Sequence, residues 1–177
     1  DSIRTGIEAV DNVPGRFERI ELGQNFQVIV DYAHTPDALE RVLTAARDLA
    51  SKRLLCVFGC GGERDRGKRP EMGRIAFGLA DKLYVTSDNP RSENPNDIID
   101  EILTGVGSRG EVIKEPDRLE AVRNALGDAR EGDLVVIAGK GHEVEQIIGD
   151  EVVVFDDRQV ARETLRAMGH GNYRPEL

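Results

Sequence analysis

LLCVFGCGGERDRGKRP, residues 54–70, is the stretch on which the fold turns. It opens with LLCVFG, an apolar run without a break, and such a short run bounded by glycine reads as a strand buried on both faces. Beyond the charged segment, Met72, Ile75, Ala76 and Leu79 recur at helical spacing, so the strand feeds a helix with one buried side. Between them Gly62, Gly67 and Lys68 fit the G-x-x-x-x-G-K of a phosphate-binding loop. The fit fails where the chemistry matters. Arg69 stands where a magnesium-binding hydroxyl is required, and Pro70 follows it. Glu63 and Asp65 put two carboxylates where backbone N–H groups would have to wrap an anion. The residues instead suit recognition by side chains, with the planar fork of Arg64 offered to a carboxylate and Glu63 and Asp65 holding its neighbours. A solvated charged loop is the competing reading of the same letters.

Working outward, the pattern repeats. FERIEL (17–22) and FQVIVDYA (26–33) read as strands joined at Gly23-Gln24-Asn25. Residues 36–50 form a helix with Leu39, Val42, Leu43, Ala46 and Ala50 on one side, capped by Thr35 and started by Pro36. KLYVTS (82–87) is a strand, followed by a helix near Pro95–Thr104. EVIK (111–114) precedes a helix from Asp117 to Arg130 with Leu119, Val122, Leu126 and Ala129 inward. DLVVIAG (133–139) is the most apolar run of the chain. VEQII and EVVVF flank a turn at Gly149-Asp150, and a last helix is capped by Asp156 or Asp157. The expected fold class is therefore α/β: a Rossmann-like, mostly parallel sheet with helices on both faces and an antiparallel hairpin toward each end. One domain is expected over residues 1–168, with 1–12 a linker and 169–177 a loose tail.

The bulk numbers narrow the function classes. The chain has 177 residues, 39% hydrophobic and 32% charged, enough for one domain with a proper core. There is no apolar run long enough to cross a membrane and no signal-peptide pattern; a cytoplasmic protein is expected. The absence of an initiator Met suggests a processed chain or an excised domain. The formal charge of −9 argues against general nucleic-acid affinity. Cys56 and Cys60 have no metal-site spacing, and two thiols alone cannot complete a zinc site. No G-x-G-x-x-G follows the first strand, which disfavours a dinucleotide-binding oxidoreductase.

In open parallel sheets ligands bind beyond the carboxyl ends of the strands, and the polar motifs fall there. DNPR (88–91) combines an acceptor at Asp88, a mixed amide at Asn89, a fixed turn at Pro90 and a cationic fork at Arg91, a set suited to a zwitterion; an ordinary Asn-Pro turn is the plain alternative. GKGHE (139–143) places Gly139 and Gly141 around Lys140, with Glu143 able to accept from an amine. DYAHTPD (31–37) offers Asp31 to a ribose hydroxyl, to a cation or, with Thr35, to the turn itself, and VPGR (13–16) places Arg16 after a Pro-Gly turn. The roles of His34, Lys140 and His142 stay open.

In their order, VPGRFE, VDYAHTPDALE, VFGCGGERDRGKRPEMGRIA, TSDNPRSENP and IAGKGHE resemble the C-terminal domain of the Mur ligase family, over about Gly6 to Leu165. DNPR resembles the members that add meso-2,6-diaminopimelate rather than lysine. The resemblance implies that Arg64, Asp88, Asn89, Pro90, Arg91, Gly139 and Glu143 bind the amino acid, and that Arg16 and Asp31 reach the nucleotide. It implies a ligase that uses ATP and magnesium, held mainly by central and N-terminal domains outside this sequence. In that enzyme a carboxylate of UDP-N-acetylmuramoyl-L-alanyl-D-glutamate becomes an acyl phosphate that the amine attacks. No catalytic residue and no metal ligand is expected in this chain, which alone should be inactive. Glu145 stands where the family commonly has an aromatic. Two other readings remain: a stand-alone amino-acid-binding or regulatory module without catalysis, and a folylpolyglutamate-synthase-like ligase, which has no reason to keep DNPR.

Overall fold

A computed structural model describes residues 13–108 and 110–171 of the chain. The expected linker at 1–12 and the last part of the tail, 172–177, lie outside the described residues. The strands are β1 (Glu18–Arg19), β2 (Gln27–Asp31), β3 (Leu54–Phe58), β4 (Lys82–Val85), β5 (Glu111–Lys114), β6 (Leu134–Ala138), β7 (Glu145–Ile148) and β8 (Glu151–Val154). Six of them form one sheet in the order β1-β2-β6-β3-β4-β5. Only β1 runs antiparallel, so the carboxyl ends of β2, β3, β4, β5 and β6 share one edge. The two most apolar runs, β3 and β6, are neighbours at the centre, with Leu54 opposite Leu134 and Val57 opposite Ile137. Every residue of both is buried.

Strand periodicity sends alternate side chains to opposite faces, and each face is covered. Leu54, Cys56 and Phe58 meet helices α1 (Pro36–Leu49), α2 (Lys68–Leu79) and α3 (Pro95–Leu103) through Leu39, Leu43, Met72 and Ile99. Leu55 and Val57 meet α4 (Arg118–Asp128) and α5 (Asp157–Ala167) through Ala121, Leu126 and Leu165. The caps are those the sequence proposes: Thr35 accepts from the Ala38 N–H, and Asp156 from the Arg158 N–H. Both cysteines are free thiols of the core, and burial pushes each up to about 12. Cys60 Sγ lies 3.7 Å from Met72 Sδ. Among the described residues no helix is long and apolar enough to cross a membrane.

Two expectations change in detail. The seam of α4 is Ala121, Val122, Ala125 and Leu126, while Leu119 and Ala129 sit at its margin; the two alanines let the helix lie close to the sheet. The second hairpin, β7–β8, pairs only with itself rather than extending the large sheet. It is fastened to the loop after β4: the Arg91 N–H donates to the Ile147 carbonyl at 3.1 Å, and the Gly149 N–H to the Arg91 carbonyl at 2.7 Å. Its outer side is open, with Val154 88% exposed. Of the expected tail, His170 donates its N–H to the Leu165 carbonyl and sets its ring edge-on to Phe26.

Candidate functional site

The loops after β2, β3, β4 and β6 meet at the shared edge around a cleft of about 540 Å³. Arg64, Asp88, Asn89, Arg91, Gly139 and Glu143 all line it. Pro90 lines a second, more apolar cleft of about 580 Å³ behind the hairpin, together with Pro116 and Phe155. Arg16 and Asp31 stand outside the first cleft. Arg16 lies over the ring of Tyr32, 5.2 Å from its centroid, and Tyr32 does line the cleft. Asp31 uses one carboxylate oxygen to accept the Phe17 N–H at 2.7 Å and the other to accept the Ala33 N–H at 2.8 Å. It thereby ties the β1 entry to the turn after β2.

The charged loop of residues 62–69 is neither a phosphate cradle nor simply solvated. Glu63 accepts from the Ser92 hydroxyl and N–H, and Asp65 from the Gly67 N–H, so both carboxylates do hold neighbours. Arg69 is fully buried and bridges Glu93 and Glu101. Arg66, an exposed residue, also pairs with Glu101. Lys68 donates to the His34 carbonyl at 2.7 Å. Gly62 is pressed against the next loop: its N–H donates to the Asn89 carbonyl, and a Cβ there would fall 1.9 Å from the Pro90 carbonyl oxygen. The loop after β3 and DNPR are thus one packed unit.

That unit has a pH limit. Hydrogen bonds from Arg69 and from the Glu63 N–H hold the Glu93 carboxyl at about 2, well below its ordinary 4.5. A depressed carboxyl contributes stability above its unfolded value and loses it as pH falls through its folded value. We expect the chain to lose roughly 1–2 kcal/mol between about pH 4.5 and pH 2 from this pair, after allowing for solvent screening. Glu93→Gln should flatten that limb of an acid-unfolding curve; an unchanged limb would show that the pair contributes nothing.

At the back of the cleft lies a polar knot. Asn89 Nδ2 donates to Glu143 Oε2 at 3.2 Å, and Asn89 Oδ1 accepts from the Ile147 N–H at 3.1 Å. Gln146 Nε2 donates to the Asp88 carbonyl at 2.7 Å. Lys140, whose role the sequence leaves open, is fully buried among these groups. Behind the knot, Arg118 and Asp157 form a pair with both side chains 0% exposed. The Arg118 guanidinium also donates to the Ser87 carbonyl and to the Ala138 carbonyl, each at 3.0 Å. Those carbonyls immediately precede DNPR and GKGHE, one in the loop after β4 and the other at the end of β6. Sequence reasoning misses Arg118 because an Arg at a helix start reads as a surface residue.

Three cations line the cleft with no carboxylate partner among the described residues: Lys68, already bonded to the His34 carbonyl, and the guanidinium groups of Arg64 and Arg91. Among the described residues Arg64 donates only to the carbonyl of Glu63, at 3.3 Å. Arg91 donates through one nitrogen to the carbonyls of Gly62 and Asn89, at 2.7 and 3.4 Å. Among the described residues neither has a carboxylate within ion-pair distance, yet both face the cleft that Glu143 and Asp88 line. The arrangement can pair guanidinium groups with carboxylates and carboxylates with amines in one small volume.

The fold and the cleft define an open α/β domain whose polar site sits at the carboxyl ends of a parallel sheet. The chain belongs to the Mur ligase family: the family model described as Mur ligase, glutamate ligase domain, matches residues 15–141. A relative from Syntrophomonas wolfei, named UDP-N-acetylmuramoyl-L-alanyl-D-glutamate--2,6-diaminopimelate ligase, is 58% identical over 168 residues, 93% of this chain and 34% of its own length. A relative of the same name from Geobacillus kaustophilus is 51% identical over 170 residues, 96% of this chain and 35% of its own length. A solved structure of an enzyme with that name superposes with a TM-score of 0.84 at 43% identity, covering 90% of this chain and 33% of that one. A bifunctional folylpolyglutamate synthase/dihydrofolate synthase from Yersinia pestis shares the fold, with a TM-score of 0.64 at 18% identity over 95% of this chain and 34% of that one. The chain therefore spans about a third of the length of the curated relatives it matches.

Proposed function

We propose that this chain is the amino-acid-carrying domain of an ATP-dependent, cytoplasmic ligase that joins meso-2,6-diaminopimelate to UDP-N-acetylmuramoyl-L-alanyl-D-glutamate. One observation carries the reading: Arg64 and Arg91, both without a carboxylate partner among the described residues, line the same cleft as the carboxylates of Asp88 and Glu143. Diaminopimelate has two carboxylates and two amines, and the cleft offers a complement to each kind of group. Lysine lacks the second carboxylate and would leave one guanidinium facing nothing.

ATP and magnesium supply the activation of the acceptor carboxylate in such an enzyme. The residues here do not fit the phosphates, because Glu63 and Asp65 occupy the loop and Arg69 replaces the metal-binding hydroxyl. Contact with the nucleoside beside the cleft is the part this chain fits: the exposed Arg16 lies over the ring of the half-buried Tyr32, and each oxygen of Asp31 keeps an acceptor site. The chain's own contribution is to orient the incoming amine and to close over the nucleotide bound by the other domains. Pro90 serves the site through the backbone, fixing the turn between Asn89 and Arg91.

The test is phosphate release by a full-length ligase carrying this chain, with the UDP-dipeptide and ATP present. Release should depend on meso-diaminopimelate and should be poorly supported by L-lysine. Equal stimulation by both, or by neither, would overturn the reading.

A further inference from the structure

Lys140 is fully buried and does not line the cleft, yet its ammonium touches the groups that do. Nζ lies 3.0 Å from Asn89 Oδ1, 3.3 Å from Glu143 Oε2 and 3.9 Å from Asp88 Oδ1. A buried ammonium is tolerated only among such acceptors. The chemistry of the donor decides the rest. An ammonium has three donors and no acceptor, so it selects the oxygen end of the Asn89 amide. The Ile147 N–H donates to the same oxygen. Both lone pairs of Asn89 Oδ1 are then filled, and the amide cannot flip without facing donor against donor. Its NH₂ is turned toward Glu143 Oε2 and the cleft. Glu143 Oε2 in turn receives Lys140 and Asn89, which leaves Oε1 to meet a ligand.

We infer that Lys140 is a positioning residue that sets the polarity of the amino-acid site: it makes Asn89 a pure donor toward a ligand carboxylate and leaves Glu143 one oxygen for a ligand amine. This inference rests on the amino-acid-binding reading above and adds to it the group that enforces it. Without Lys140, Asn89 Oδ1 keeps only the Ile147 N–H and Glu143 Oε2 only the Asn89 amide, so both side chains lose the charged donor that fixes them.

The experiment is a double-mutant cycle in the full-length ligase, with Lys140→Met, Asn89→Ala and the two combined. Lys140→Met is expected to raise KM for the amino acid roughly 10- to 100-fold, the scale of a lost charged hydrogen-bond network. KM for ATP and for the UDP-dipeptide should move less than about two-fold. In the Asn89→Ala background the Lys140→Met effect should shrink to the smaller part carried through Glu143, because the amide it orients is gone. An effect of the same size in both backgrounds, or one confined to thermal stability, overturns the inference. Should Lys140→Met fail to fold, the unaltered chain gives the answer by NMR. A slowly exchanging Lys140 ammonium signal that shifts in Asn89→Ala supports the contact, and its absence overturns it. The outcomes separate from those of the functional reading: an enzyme that uses L-lysine sinks the choice of diaminopimelate, while the cycle still reads the Lys140–Asn89 coupling on whichever amino acid is used.

Discussion

Arg91→Ala in the full-length ligase is expected to lower kcat/KM for meso-diaminopimelate, the proposed substrate, by roughly 10²- to 10⁴-fold and to abolish the preference over L-lysine. The magnitude is that of a site built to pair a polar group and then deprived of it. Arg91 is well placed for this effect. Its backbone takes the left-handed conformation, φ +53°, and is bound on both sides by the second hairpin. One guanidinium nitrogen is anchored by the Gly62 and Asn89 carbonyls. The remaining donors of the fork carry no partner among the described residues and are available to a carboxylate. Lysine, with no second carboxylate to lose, should be used about as well by the variant as by the parent. Arg91→Lys should not restore the preference, because an ammonium cannot hold the backbone carbonyls and present a planar fork at once. Steady-state kinetics with both amino acids check this. A parallel loss for both would mean that Arg91 only braces the loops.

The second large effect concerns stability. Arg118→Leu or Asp157→Leu should destabilise the chain by about 3–5 kcal/mol, since either leaves a buried charge without its partner. For a domain of this size that is a fall of roughly 10 °C in Tm. The double substitution distinguishes two roles. If Arg118 only neutralises Asp157, replacing both by leucine recovers nearly all the loss. We expect incomplete recovery, because the Ser87 and Ala138 carbonyls lose their donor as well, and buried carbonyls without a donor cost roughly 1–3 kcal/mol each. Calorimetry of the three variants decides it. Full recovery would reduce Arg118 to a counter-ion and remove it from the support of DNPR and GKGHE.

The sheet was legible because its centre is chemically simple. LLCVF and LVVIA admit little but a doubly covered strand, and Thr35 and Asp156 mark two helix starts by their capping chemistry. Strand ends then placed the candidate site, because a parallel sheet collects its loops on one edge. The buried ions were not legible. Arg69 sits in a run of charges that reads as solvated, and its partners Glu93 and Glu101 come 24 and 32 residues later. Arg118 finds Asp157 at 39 residues and Lys140 finds Asn89 at 51. Composition and periodicity carry no record of such pairings, which exist only once the sheet brings the loops together. The independence of the second hairpin was hidden for a related reason: alternation identifies strands but not the sheet they join.

The strand order has a consequence for how this chain is made. β6 lies between β2 and β3 but leaves the ribosome after every other strand of the large sheet. Until residues 134–138 emerge, the nascent chain holds two apolar strands with bare edges facing an empty slot, the kind of surface that invites wrong partners and chaperones. Translation pauses, truncations or stop codons before that point leave an unclosed sheet rather than a smaller working domain.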